Sequence, residues 1–172
     1  MKTKEKILLG ARNYLLKHGQ AGFTVRSVAA EADVNPGLVH HYFGSKENLV
    51  LGLIDYIANE PFEKAVQMMV KNEPGLIREA ILKMLLQNSE LMNLLIEVFY
   101  LAQHTPAAKE KLRQIMKQRR EFITDLLGIE DHDDRFVFNA GIFGIIWVSR
   151  IDDSLDIEKS LKKLFARFDL SG

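Results

Sequence analysis

Residues 24–46 read TVRSVAAEADVNPGLVHHYFGSK, and the organisation of the chain follows from them. Thr24 is a helix-capping residue followed by a short segment in which Val28, Ala29 and Ala32 fall on one face at helical spacing. Those side chains are small, so a second helix can pack closely there, while Arg26 and Ser27 look outward. Asp33 stands where the chain must reverse. Such turns commonly need a left-handed residue, and Asp tolerates that conformation better than most. Asn35 then caps another helix whose first position is Pro36, where the missing N–H costs nothing. In that helix Val34, Val39 and Phe43 point inward, leaving Pro36, Gly37, Leu38, His40, His41 and Tyr42 on the outer face. A solvent-facing helix gains nothing from a glycine, two histidines and a tyrosine. Base edges and phosphates offer such groups partners, and the length of about seven residues suits a helix entering the major groove. Two short helices with this turn between them form a helix-turn-helix. Thr24 and Ser45, at helix starts, offer hydroxyls and backbone N–H groups to phosphate oxygens, and Lys46 adds charge beside them.

Charge supports the same reading. The 172 residues carry zero formal net charge, but the sum conceals an asymmetry. Residues 1–46 contain seven Lys or Arg against three acidic residues, a net of +4, and the remainder carries −4. A basic head on an acidic body implies that one end meets a polyanion and the other does something else.

Outside the motif, apolar residues recur at helical spacing and no β-branched alternation reaches strand length, so the chain reads as all-α. A first helix runs from Thr3 to His18 with Ile7, Leu8, Ala11, Tyr14 and Leu15 on one face and Gly19 as a left-handed stop. Ser45 caps a fourth, which Pro61 is expected to kink or break near Asn59. Asn72–Gly75 reads as a turn. Leu76–Gln87, Ser89–Gln103, Pro106–Leu127, Asp134–Ile151 and Asp156–Phe168 complete about nine helices. The expected layout is a helix-turn-helix three-helix domain over residues 1–46, followed by a helical ligand-binding and dimerisation domain over 47–172.

With 47% hydrophobic residues the chain can bury a real core. It has no cysteine, which excludes disulfides, thiolate metal sites and a cysteine nucleophile. Phe136–Val148 is the longest apolar run, 13 residues with Asn139 inside it, short of the roughly 20 that cross a bilayer. The N-terminal lysines precede an amphipathic helix without the apolar core of a signal peptide, so a cytoplasmic location is expected. P-loop, GxSxG and HExxH motifs are absent, and Asp131–Asp134 reads as helix capping, so neither an enzyme nor a cofactor or metal site is expected.

The first 50 residues resemble the tetracycline-repressor (TetR) family of regulators. The resemblance rests on Gly19, Phe23-Thr24, Arg26, Val28-Ala29, Ala32, Val34, Gly37, His41-Tyr42-Phe43, Ser45-Lys46-Glu47 and Leu49, in the family's order and without gaps. It implies phosphate or groove contacts by Thr24, Arg26 and Lys46 and a groove-facing set of Gly37, Leu38, His40 and Tyr42; Asn35 and Pro36 at the helix start, and His41, complete the candidate DNA contacts read from the helix itself. Pro36, Leu38 and His40 depart from the family's usual residues. Leu38 suits a thymine methyl, and His40 a phosphate or a guanine acceptor.

The run from Asp134 to Ile151 is apolar nearly all round, more than one domain can cover. We expect one side to meet its own domain and the other a second copy, through Gly141, Gly144 and Val148 with Ile157, Leu161, Leu164 and Phe168 of the last helix. The resemblance implies the same homodimer, which is what a near-palindromic site on double-stranded DNA requires. Met68, Met69, Met84, Met92, Phe99, Tyr100, Phe122, Phe136 and Phe143 are bulky enough either to line an apolar cavity or to be ordinary core. Asn93, Glu97 and His104 share a helical face that either anchors the polar end of a small apolar effector or faces water. Met84, Asn93, Glu97, Tyr100, His104, Phe122 and Phe143 are the candidate ligand set. The reading that emerges is a repressor released from its operator by such a ligand. A helical adaptor for a protein partner, and a DNA-binding regulator with no small ligand, are the alternatives.

Overall fold

The computed structural model describes residues 2–71, 77–87, 89–149 and 151–168, with side chains described outside 59–71, 89 and 92. Among the described residues it is built of helices: α1 (Thr3–His18), α2 (Val25–Glu31), α3 (Pro36–Phe43), α4 (Lys46–Lys71), α5 (Ile77–Gln87), α6 (Ser89–Gln103), α7 (Pro106–Leu126), α8 (His132–Val148) and α9 (Ile157–Arg167). These agree closely with the sequence reading. Pro61 does not end α4, which continues to Lys71. The anticipated turn at Asn72–Gly75, and the side chains of Met68, Met69 and Met92, lie outside the described residues. Helix α8 starts two residues earlier than expected. Asp131 is its N-cap, with Oδ1 accepting from the N–H groups of Asp133 and Asp134 at 2.9 Å, which uses the acidic cluster as read.

The chain divides into two compact units, Met1–Phe62 with Glu90–Ile115, and Glu63–Ser89 with Met116–Gly172. The first contains the three-helix head. Ile7, Ala11 and Leu15 of α1 meet Val28 and Ala29 of α2 and Val39 and Phe43 of α3, all buried, and Phe23 closes the base at 1% exposure. Burying each of the larger side chains is worth about 1.5–3 kcal/mol, which lets helices as short as α2 and α3 persist although neither would form alone. Gly10 explains how closely α1 and α2 approach: a Cβ there would lie 2.5 Å from the Cβ of Ala32 and 2.7 Å from its Cα. Leu49, Leu53 and Ile57 of α4, Leu94 and Val98 of α6, and Ala108 and Leu112 of α7 are buried as well.

The second unit has its own core of Ile81 and Leu85 from α5, Phe138, Ile142 and Ile146 from α8, and Leu161 and Phe165 from α9. The Phe138 and Phe165 rings meet edge to face with centroids 5.1 Å apart. Arg135 reaches Asp125 in an ion pair, holding the start of α8 to the end of α7.

Candidate DNA-reading head

Thr24 Oγ1 accepts a hydrogen bond from Ser27 N–H at 3.1 Å, while Thr24 N–H donates to Ser27 Oγ at 2.8 Å, closing a reciprocal cap on α2. Ser27 Oγ also donates to the Gly22 carbonyl at 2.9 Å. Ser27 is therefore drawn into the cap and does not look outward as the spacing alone suggested. The chain then reverses through Asp33 with φ of +49°, the one non-glycine residue at positive φ among the described residues. Lys6 of α1 steadies this turn by donating to the Asp33 carbonyl at 2.9 Å and to its carboxylate at 3.3 Å.

Asn35 Oδ1 accepts from Gly37 N–H at 2.8 Å to start α3, with Pro36 in the first turn. Val39 and Phe43 are buried, and Val34 is half-buried. Asn35, Pro36, Gly37, Leu38, His40, His41 and Tyr42 are all exposed, with 40% exposure at Leu38 and 41% at Tyr42. Every residue assigned to the groove is thus exposed. The His41 and Tyr42 rings lie edge to face, 5.2 Å between centroids. Thr24, Arg26 and Lys46 are exposed too. Neither Arg26 nor Lys46 is tied to a carboxylate among the described residues, so both charges are available to phosphates. Lys46 Nζ lies 5.9 Å from the Phe23 ring centroid, and Ser45 Oγ caps α4 by accepting from Asn48 N–H at 3.1 Å. The Glu47 carboxyl is held below its usual range by its own backbone N–H and then by the Ser45 hydroxyl.

Within the first unit the head is tied to α6, and α4 to α7. Glu97 Oε2 accepts from Gln20 N–H at 2.6 Å, and its carboxylate covers Gly19, whose φ of +67° and ψ of −166° end α1 outside the ordinary left-handed basin. Arg12 pairs with Glu90 at 3.3 Å, and Lys111 with Asp55 at 2.7 Å. Sequence reasoning missed these links, since nothing near Gln20 announces an acceptor 77 residues away.

The candidate ligand residues divide between the units. Asn93, Glu97, Tyr100 and His104 belong to the first, where Glu97 is engaged by Gln20 and the other three are exposed. Met84, Phe122 and Phe143 belong to the second and are half-buried there. Of the residues assigned to an interface between copies, Leu161 is fully buried in its own chain, and Gly141 is covered by Leu164, whose Cδ1 would lie 2.9 Å from a Cβ at that position. Both therefore serve the packing of α8 on α9. Gly144 has nothing within 4 Å of such a Cβ, Val148 is exposed, and Ile157, Leu164 and Phe168 are half-buried. With Phe136, Val137, Trp147 and Ile151, Val148 belongs to an uncovered apolar face on and just beyond α8 that the sequence did not delimit. Among the described residues no three His, Asp or Glu side chains gather as a metal would require, and no helix is long and apolar enough to cross a membrane.

A three-helix head with two short helices joined by a tight turn is the architecture of helix-turn-helix DNA-binding domains. Residues 7–53 match the family described as bacterial regulatory proteins, tetR family. Over those residues the chain carries that family's helix-turn-helix region. It is 24% identical over 135 residues to the HTH-type transcriptional regulator CymR of Pseudomonas putida, a match covering 75% of this chain but 66% of CymR. It is 41% identical over 51 residues to the HTH-type transcriptional repressor AcnR of Corynebacterium glutamicum, covering 30% of this chain and 27% of AcnR. The chain thus spans less than two thirds of these relatives in the matched regions. The fold is that of the multidrug binding protein EbrR in its ethidium complex, with a TM-score of 0.74 and 22% identity over 97% of this chain and 98% of that one.

Proposed function

We propose that the chain is a cytoplasmic homodimeric repressor that reads a near-palindromic operator through residues 1–46 and is released when a small, largely apolar ligand binds in residues 47–172. The observation that carries the reading is the exposed surface of α3, where seven residues from Asn35 to Tyr42 are exposed, with Arg26 before and Lys46 after them in the chain exposed and without a carboxylate partner among the described residues. Apolar, aromatic and imidazole groups on that face suit base edges, and the flanking cations suit phosphates. Two such helices must reach successive major grooves about 34–36 Å apart, which requires two copies of the chain. The apolar strip of Val137, Gly144, Trp147, Val148 and Ile151 supplies a surface for pairing. The names of AcnR, a repressor, and EbrR, a multidrug binding protein, support repression and ligand control. The ligand acts only through its different affinities for the DNA-competent and DNA-incompetent arrangements, and DNA weakens the ligand reciprocally.

Selection of bound duplexes from a random library tests the reading. A recovered two-fold symmetric site, with affinity falling steeply as salt rises, is the expected result. Enrichment of no site by folded protein overturns it. A single unrepeated half-site overturns the dimer while leaving the reading head.

A further inference from the structure

Residues 40 and 44 are joined twice at the end of α3. Gly44 N–H donates to the His40 carbonyl at 2.8 Å, and His40 Nδ1 lies 3.2 Å from the Gly44 carbonyl oxygen. The second contact depends on Gly44, whose φ of +74° and ψ of −44° turn its carbonyl back toward the helix, a conformation that side-chain-bearing residues rarely adopt. A carbonyl oxygen only accepts, so the proton of this hydrogen bond resides on Nδ1. A neutral imidazole has one N–H, and its other nitrogen must then carry a bare lone pair.

That nitrogen, Nε2, makes no hydrogen bond among the described residues, and His40 is exposed. Its neighbours supply little competition as fixed acceptors. Pro36, Gly37 and Leu38 have no polar side-chain atom, and the Asn35 oxygen is taken by Gly37 N–H. The helix PGLVHHYF contains no Asp or Glu, so acceptance from a base has to come from an imidazole or the Tyr42 hydroxyl. In the major groove the base-edge donors are the exocyclic amines, N6 of adenine and N4 of cytosine. Phosphates and the guanine edge, the partners that an imidazole N–H would take, present only acceptors.

We infer that His40 is a specificity-determining residue: held as the Nδ1–H tautomer by the Gly44 carbonyl, it presents Nε2 to the major groove as an acceptor for the exocyclic amine of adenine or cytosine. This replaces the phosphate or guanine contact expected from sequence, and it rests on the proposed function of the head. The tautomer arises from a backbone carbonyl four residues away and so exists before DNA arrives, which fixes the base preference without reorganising the side chain.

Two measurements on the full chain test it. Long-range 1H–15N correlation spectra of the free protein at pH 8.5, which favours neutral imidazole, are expected to show His40 protonated at Nδ1; protonation at Nε2 overturns the inference. Duplex selection at the same pH compares the native protein with His40→Phe, which removes both nitrogens from an exposed position and is checked for folding by circular dichroism. The native protein is expected to prefer adenine or cytosine at one position in each half-site, and His40→Phe to reduce that preference about three- to tenfold while other positions hold. A native preference for guanine that vanishes in the variant, or a half-site unchanged at every position, overturns the inference but leaves the reading head intact. Failure of the native protein to enrich any site overturns both.

Discussion

Gly10→Ala is the substitution whose outcome the head's packing most sharply determines. A Cβ at position 10 would lie 2.5 Å from the Cβ of Ala32, 2.7 Å from its Cα and 2.8 Å from its N, against the roughly 3.5–4.0 Å of an ordinary carbon contact. Relief therefore requires a shift of about 1 Å, and backbone rather than a flexible side chain has to move. Overpacking of this kind costs about 1–3 kcal/mol, while replacing a glycine inside α1 by alanine returns about 0.5–1 kcal/mol of helix propensity. The net expectation is a loss of about 0–2.5 kcal/mol in urea unfolding. A second effect follows from position. Ala32 N–H closes α2 on the Val28 carbonyl at 2.9 Å, and the next two residues lead into α3. Moving Ala32 thus tilts the groove-facing helix, so affinity for a selected duplex should fall further than the unfolded fraction accounts for. Adding Ala32→Gly removes the 2.5 Å contact but not those to Cα and N, so the double variant should recover only part of the loss. A Gly10→Ala protein more stable than the native one would refute the close approach, since propensity alone would then be visible.

Two other outcomes follow from named contacts. Glu97→Ala removes the acceptor of Gln20 N–H and should cost about 1.5–3 kcal/mol, the range for a hydrogen bond to a charged group, with Glu97→Gln losing less; hydrogen exchange at the Gln20 amide should quicken in both, and unchanged protection would show that the carboxylate does not hold the loop. Glu110, bonded first by Arg113 at 2.6 and 2.8 Å and then by Gln114 at 2.8 Å, has its carboxyl lowered from 4.5 to about 2. Because the folded value is depressed, any stability from this cluster is present above pH 4.5 and is lost as pH falls toward 2. A carboxyl 13C titration placing its midpoint at 4 or above would contradict the geometry.

The head was legible because its signals are local. Thr24, Asn35 and Ser45 cap the helices they precede, and Asp33 takes the positive φ that the turn demands. Each requirement involves residues within about four positions, the range over which spacing and capping carry information. The small face of Val28, Ala29 and Ala32 disclosed half of the tightest contact in the head. Its other half, Gly10, resembles any helical glycine until the backbones are brought together.

Helix α8 shows why the rest was harder to read. Periodicity locates a buried face by contrast with a polar one, and α8 offers almost none, so its phase was undetermined by its own residues. Gly141 and Gly144, three positions apart, looked equivalent. In the fold Leu164 fills the space over the first, while the second stays open beside Val148. What distinguishes them is α9, whose Leu161 and Phe165 turn inward onto Phe138 and thereby select which stripe of α8 is covered. The same limit applies to Glu97. Its face on α6 was read as either a ligand anchor or a face toward water, but a carboxylate at helical spacing from Asn93 specifies no partner, and the N–H just past the end of α1 that donates to it is visible only in three dimensions. Apolar symmetry around one helix and a polar debt at the end of another are both resolved by distant residues, which is where sequence pattern stops determining structure.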